Sequence, residues 1–246
     1  YTDDWQEDSE RRDFTINAIY LDINGKVFDP QLGTEDLKNC NIKFIGDPKK
    51  RIEEDYLRII RFIRFSLEYV SKIEPTTIEA IKLNLDGIKK ISKERILSEL
   101  FKILCTKNFF KLNNNENLKA IFLLIFPEFK NLERLHRLES IFSHSNFDKE
   151  TLLALLLIDD SNSHEYFFHK YNVSNELREN LNLMAKNFVN FQSNKKFFLK
   201  DLKKNVYFFG KNHLMALNVL YFSNNKTTKL KDYLNILSNI KKLNIP

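Results

Sequence analysis

Glycine and proline are scarce in this chain, five of each among 246 residues, against usual shares of about 7% and about 5%. The breakers that punctuate β-rich folds are therefore few, which argues against a sandwich or barrel and for a mostly helical protein. Cysteine is nearly absent. Cys40 and Cys105 stand far apart with no metal-ligand spacing, which removes a disulfide framework and a zinc site. Long apolar runs are missing as well: the longest, Ala120–Phe126 and Leu152–Ile158, are far too short to span a bilayer. No signal peptide opens the chain, and its first residue is Tyr1 rather than Met. The resulting expectation is a reduced, cytoplasmic protein, and a piece of a longer one.

What is present is charge, unevenly placed. The net charge is +6, yet residues 195–246 alone hold eleven lysines against Asp201 and Asp232, so the rest of the chain is slightly acidic. A basic C-terminal quarter suits a polyanion such as nucleic acid; a plainly solvated Lys- and Asn-rich surface is the alternative. Lys195, Lys196, Lys200, Lys203 and Lys204 are the candidate RNA contacts.

The chain reads as mostly α, α+β overall, in three parts. Residues 1–47 carry the β signals. Thr15–Ile23 alternates and is β-branched, "NGK" at 24–26 is a hairpin turn signal, and Val27–Phe28 begins the return strand. "DPQLGTEDL" (29–37) reads as a turn into a short helix, and Ile42–Ile45 as another short strand. These look like the edge of a sheet whose other strands lie outside this chain. From residue 48 the period becomes helical: Asp47 as cap and Pro48 at the first helical position predict a helix running to about Val70. Further helices are expected over "EPTTIEAIKLNL" and over 92–104, with Ser92 as cap. Residues 48–110 form the second part. Residues 111–246, a series of amphipathic helices joined by Asn-rich turns, form the third.

Two motifs can carry chemistry. In "EEDYLRIIRFIRF" (53–65), a continuous helix would set Asp55 and Arg58 side by side, with Arg61 and Arg64 extending the row at i+3 steps. A carboxylate beside a guanidinium offers an acceptor next to donors. Cytosine and adenine present an amino donor beside a ring-nitrogen acceptor and fit that pair; guanine and uracil present the reverse. Arg61 and Arg64 would reach phosphates. The plain alternative is a surface ion pair worth about 0.2–0.5 kcal/mol. In "RRDF" (11–14), arginine at a strand mouth can hold a triphosphate, Asp13 can accept from a ribose hydroxyl, and Asn17 can hydrogen-bond inward. There the alternative is charge that guards a strand edge.

Taken together, "RRDFTINAIY", "DPQLGTEDL", "IGDPKKRIEEDYLRIIRFIRF" and "SKERILSELFKIL" stand in the order and spacing of bacterial class II CCA-adding enzymes and poly(A) polymerases. The chain resembles that family closely over about residues 1–110 and weakly beyond. The resemblance implies a head remnant at 1–47, a helical neck at 48–110, and a helical body with a basic tail at 111–246. It implies that Arg12 contacts the nucleotide's phosphates with Asp13 near its ribose, and that Asp55 and Arg58 template CTP and ATP. Arg61 and Arg64 are implied as further nucleotide contacts, and the 92–104 helix as a brace. The implied activity is nucleotidyl transfer to a tRNA 3′ end, adding CMP and AMP from CTP and ATP. Polyadenylation is the near alternative, and a non-catalytic RNA-binding fragment of a split gene is one of another class.

The resemblance also implies Mg²⁺, held by an Asp-x-Asp pair beside a Gly-rich loop. "TDDW" (2–5) lacks that context, so the pair is expected upstream of Tyr1, the chain alone is expected to be inactive, and a separate head fragment is a conceivable partner. Two positions depart from the family pattern. Leu32-Gly33 stands for the usual Gly-Gly, and Tyr56 for Pro. His144, His164 and His169 lack the His-Asp context of a phosphohydrolase and read as surface or core residues.

Overall fold

The computed structural model describes residues 4–144, 147–159, 161–193 and 196–244. The chain divides into two compact units, Tyr1–Ile125 and Phe126–Pro246.

The first unit begins with helix α1 (Trp5–Glu10), whose N-terminus is capped by the Asp4 carboxylate. Strands β1 (Tyr20–Leu21) and β2 (Val27–Phe28) form an antiparallel hairpin, Tyr20 opposite Phe28 and Leu21 opposite Val27. Between them Asp22 accepts from the backbone N–H groups of Asn24 and Lys26, and Gly25 supplies the positive φ of the turn. The alternating stretch expected as strand from Thr15 to Ile23 is shorter, because Thr15–Asn17 closes into a 3₁₀ turn. The cause is tertiary: Thr15 donates its hydroxyl to the buried Asp36. Helix α2 (Gly33–Lys38) follows. The strand expected at Ile42–Ile45 reduces to one antiparallel bridge, Phe14 to Phe44.

Helix α3 (Pro48–Glu54) starts as expected, with the Asp47 carboxylate accepting from Lys49 N. It does not continue to Val70. Asp55 is extended (φ −153°, ψ 103°), and a separate helix α4 (Leu57–Glu68) begins beyond it. The Asp55 carboxylate accepts from Leu57 N, a local bond that competes with helix propagation. Beside the break, the Tyr56 ring lies so close to Gly87 that no side chain fits there. Helices α5 (Pro75–Asn84) and α6 (Lys93–Leu104) follow, α5 packing on α3 and α6 on α4. The Ser92 hydroxyl caps α6 by accepting from Arg95 N. Helix α7 (Glu116–Ile125) closes the unit.

Within this unit Phe14, Phe44, Phe62 and Phe65 form an aromatic core, Phe14 lying 4.7 Å from Phe44 and 5.4 Å edge-on from Phe65 between ring centres. α4 buries Leu57, Ile59, Ile60, Phe62, Ile63 and Phe65, which leaves Arg58, Arg61 and Arg64 along its other side.

The second unit contains α8 (Leu135–Leu138), α9 (Lys149–Leu157), α10 (Ser163–Tyr171), α11 (Asn175–Ser193), α12 (Leu202–Phe209), α13 (Lys211–Asn224) and α14 (Leu230–Lys242). The apolar run Leu152–Ile158 is buried on every side, as a helix without a polar stripe must be; α10, α11 and α13 pack around it. Its last carbonyls, Leu155 O and Ile158 O, accept from the buried Arg134 guanidinium, which also donates to Asn224. Carbonyls at a buried helix end need such a donor.

Among the described residues no helix is long and apolar enough to cross a membrane. Cys40 and Cys105 are free thiols at the surface.

Candidate functional site

The Arg-Arg-Asp segment is placed by the residue after it. Phe14 is fully buried in the aromatic core, which draws Asp13 under the surface beside α4. Asp13 Oδ1 accepts from Phe14 N (3.1 Å) and from the Asn17 amide (2.8 Å). Its Oδ2 lies 2.8 Å from Arg61 Nε. That contact is a close charge pair off the N–H axis, since neither atom makes an aligned hydrogen bond. Three of the expected residues, Asp13, Asn17 and Arg61, thus meet.

Arg12 points elsewhere. Its guanidinium donates to Asp8 Oδ2 from Nε (2.9 Å) and Nη2 (2.6 Å), while Arg11 Nε donates to Asp8 Oδ1 and the Tyr20 hydroxyl to Oδ2. The donors on Asp8, Arg12 foremost, then Tyr20 and Arg11, hold its carboxyl far below the usual range. Trp5 stacks on Tyr20 at 5.6 Å between ring centres and closes the cluster. Arg12 is half exposed, so its outer face is open to an anion.

The break at Asp55 changes the expected arrangement of 53–65. A continuous helix would have paired the Asp55 and Arg58 side chains; instead each has another partner. Asp55 Oδ2 accepts from Arg95 Nη2 of α6 at 2.7 Å. Arg58 Nη1 donates to Glu54 Oε2 (2.5 Å) and to the Arg51 carbonyl (2.6 Å). Arg58, with Arg51, keeps the Glu54 carboxyl below its ordinary range against the opposing pull of burial. The two residues still adjoin through the backbone, where Arg58 N donates to Asp55 O. Arg64 donates to Glu99 of α6 at 3.0 Å, with its guanidinium 4.0 Å over the Phe65 ring. The Arg58 and Arg64 side chains are only 14% and 16% exposed, too covered for the solvated ion pairs of the plain alternative.

The two departures from the family pattern have structural consequences. Leu32 is left-handed (φ 57°), a region that a branched side chain enters at a cost and glycine enters freely. Gly33 is sterically required, because a Cβ there would lie 2.1 Å from the Thr15 carbonyl oxygen. Asp29 closes the turn, accepting from the N–H groups of Gly33 and Thr34 and from the Thr34 hydroxyl. Burial pushes the Asp29 carboxyl up, but these donors outweigh it and hold it low. The Tyr56 ring sits on Gly87 with the Lys90 ammonium 5.3 Å from its centre.

Lys196, Lys200, Lys203 and Lys204 are all exposed at or before α12; Lys195 lies outside the described residues. His144 and His169 are at the surface, and His164 is buried. No three His, Cys, Asp or Glu side chains converge on a point that a cation could occupy among the described residues, and Asp13 and Asp55 already face guanidinium groups. The residues described do not fit a magnesium clamp.

Sequence reasoning missed Asp8, Glu54, Arg95 and Glu99. Asp8 and Glu54 stand four residues before Arg12 and Arg58, a helical pairing distance, and were legible on that ground. Arg95 and Glu99 have no local signal toward Asp55 and Arg64; only the packing of α6 on α4 brings them there.

Residues 1–43 match the poly A polymerase head domain profile, and residues 72–132 match the probable RNA and SrmB-binding site of polymerase A. The human mitochondrial CCA tRNA nucleotidyltransferase 1 is 51% identical over 107 residues, 42% of this chain and 25% of that protein. A CCA-adding enzyme of Lactobacillus helveticus is 48% identical over 97 residues, 39% of this chain and 24% of that protein. The chain therefore spans about a quarter of the length of these relatives. In fold, 98% of this chain superposes on 60% of the Bacillus stearothermophilus CCA-adding enzyme in complex with CTP, with a TM-score of 0.70 and 20% identity. Two domain profiles match in order, and two relatives are 51% and 48% identical over 107 and 97 residues, so the chain is similar to CCA-adding enzymes and poly A polymerases, in each of these matches over less than half of its length.

Proposed function

We propose that this chain is the nucleotide-selecting and RNA-holding part of a tRNA 3′-end nucleotidyltransferase, which adds CMP and AMP from CTP and ATP. The observation that carries the reading is the contact of Asp13 with Arg61. It joins the Arg-Arg-Asp segment to the helix that bears Arg58 and Arg64 and has Asp55 at its mouth. The segments 1–47, 48–110 and 111–246 serve in this reading as head remnant, neck, and body with tail.

The reaction forms a bond between the RNA 3′-oxygen and the α-phosphorus of the nucleotide and breaks the bond to the leaving pyrophosphate. The described residues provide selection and grip. Arg12 turns its open face to the phosphates, and Asp13, Arg61 and Arg64 line the nucleotide's path. Asp55 accepts from the exocyclic amine of cytosine or adenine, and Arg58 donates to the adjacent ring nitrogen. To do so, Asp55 exchanges Arg95 for the base, and Arg58 exchanges Glu54. Guanine and uracil offer no such replacement and leave both groups unsatisfied, which is the expensive outcome in a covered site. No described group is assigned the activation of the 3′-hydroxyl.

The lysines from 195 to 204 track the RNA backbone in this reading. Two free surface thiols are in keeping with a reducing cytoplasm.

The test is incorporation from labelled CTP and ATP into tRNA lacking its CCA end, with and without a head fragment supplied in trans. Ordered CMP and then AMP addition supports the reading. Runs of AMP without CMP would transfer the chain to polyadenylation. Tight RNA binding with no incorporation under either condition would make it a binding module.

A further inference from the structure

The apolar side of α12 that faces solvent is out of place on a soluble surface. The helix buries Leu202, Asn205 and Val206, yet Tyr207 and Phe208 on its opposite side are 68% and 64% exposed. Their rings touch edge to face, 5.4 Å between centres at 83°. One helical turn before them stand Lys203 and Lys204, and four residues after Tyr207 stands Lys211, beyond the sharp turn at Gly210. Lys200 precedes the helix and is also exposed. Two neighbouring aromatic rings flanked by cations, in a stretch from 195 to 231 whose one acidic residue is Asp201, make a surface complementary to an anionic chain that also carries flat faces.

Resting on the reading of the basic tail as an RNA contact, we infer that Tyr207 and Phe208 form a stacking ledge for an unpaired base of the bound RNA. Lys200, Lys203, Lys204 and Lys211 hold the flanking phosphates. The occupant is a single-stranded or splayed nucleotide, because the bases of a continuous duplex keep their faces inside the stack. The ledge reads no sequence, since every base offers a π face.

The probe is a labelled single-stranded RNA 12-mer, with a duplex of the same length beside it, titrated onto the full chain by fluorescence anisotropy at several salt concentrations. Removing both rings (Tyr207→Ala with Phe208→Ala) weakens single-strand binding by about tenfold or more, leaves duplex binding nearly unchanged and keeps the salt slope. Tyr207→Leu with Phe208→Leu, which keeps apolar area, does not restore binding, whereas Tyr207→Phe does. Lys203→Gln with Lys204→Gln weakens both RNAs and lowers the slope. A 5-iodouridine 12-mer crosslinks to Tyr207 or Phe208. Equal binding by wild type and the double-alanine chain, with the lysine variant impaired, overturns the ledge and leaves the basic tail in place. If the lysine variant binds normally too, the reading of the tail falls with it. Unaltered RNA binding together with loss of self-association in the double-alanine chain overturns the ledge in favour of a contact between copies.

Discussion

Asp13 Oδ2 and Arg61 Nε stand 2.8 Å apart, where Phe14 enters the aromatic core beside Phe62 and Phe65. The charge pair and the ring contacts are two readouts of one docking event: Phe14 packs on the face of α4 next to the residue that carries the guanidinium. A motif near the start of the chain is thereby held against a helix far along it.

Asp13→Asn removes the charge while keeping the hydrogen bond from Asn17. Arg61 then lacks its counter-ion, and because it is about one-third exposed, water recovers part of the loss. The expected cost is about 1–2 kcal/mol in urea unfolding. A double-mutant cycle with Arg61→Gln should show clear coupling between the two sites; additive effects would mean that the pair is incidental.

Leu32→Gly should stabilise the first unit. The left-handed backbone at Leu32 costs a branched residue about 1–2 kcal/mol, of which the greater chain entropy of glycine returns about 0.5–1 kcal/mol. A net gain of about 0.5–1 kcal/mol, seen as a rise of a few degrees in Tm, is expected. Gly33→Ala should do the reverse and more strongly, because its Cβ would strike the Thr15 carbonyl.

Asp55→Asn tests the proposed base-reading pair. An asparagine presents both an acceptor and a donor where the carboxylate presents acceptors alone, so rejection of UTP and GTP should relax by about tenfold, roughly the worth of one hydrogen bond to a charged group. Competition between CTP and UTP for incorporation, with the head fragment supplied in trans, measures it, and an unchanged ratio would remove Asp55 from selection.

Acid should weaken the second unit before it reaches the carboxylates. Burial pushes the His213 imidazole down to about 4, and burial lowers that of His164 as well. In the unfolded chain both titrate near 6.5. Between about pH 6.5 and pH 4 the unfolded state binds protons that the folded state refuses, so stability is complete above this window and falls as pH drops through it. The urea midpoint at pH 5 should lie below that at pH 7.5, and His213→Gln should reduce the difference.

Arg134→Met should unfold the second unit at lower denaturant. It strips the donors from Leu155 O, Ile158 O and the Asn224 side chain, for an expected loss of about 2–4 kcal/mol. Circular dichroism across a urea series would read the shift.

Much of this was legible locally. Asp47-Pro48 starts α3, Ser92 starts α6, and "NGK" closes the hairpin, because caps and turns are satisfied within a few residues. The helical character follows from apolar periodicity and from the shortage of glycine and proline. Asn17, Asp13 and Arg61 were nameable as a set only through the order of motifs, since nothing local links residue 13 to residue 61. Where local signals failed, a distant partner had outbid them. Thr15–Asn17 left the strand for Asp36, Ile42–Ile45 pairs through a single bridge to Phe14, and the helix from Pro48 broke where Asp55 found Arg95 and Tyr56 found Gly87.

The sequence by itself determined the helical character, the helix starts at Pro48 and Lys93, the hairpin turn and the basic C-terminal quarter. Those follow from periodicity, capping chemistry and charge, which act over one or two turns. Tertiary structure alone decided the long-range charge pairs: Asp13 with Arg61, Asp55 with Arg95, Arg64 with Glu99. Partner choice among many carboxylates and guanidiniums depends on which helix faces which, and that is settled by the packing of α4 against Phe14 and α6.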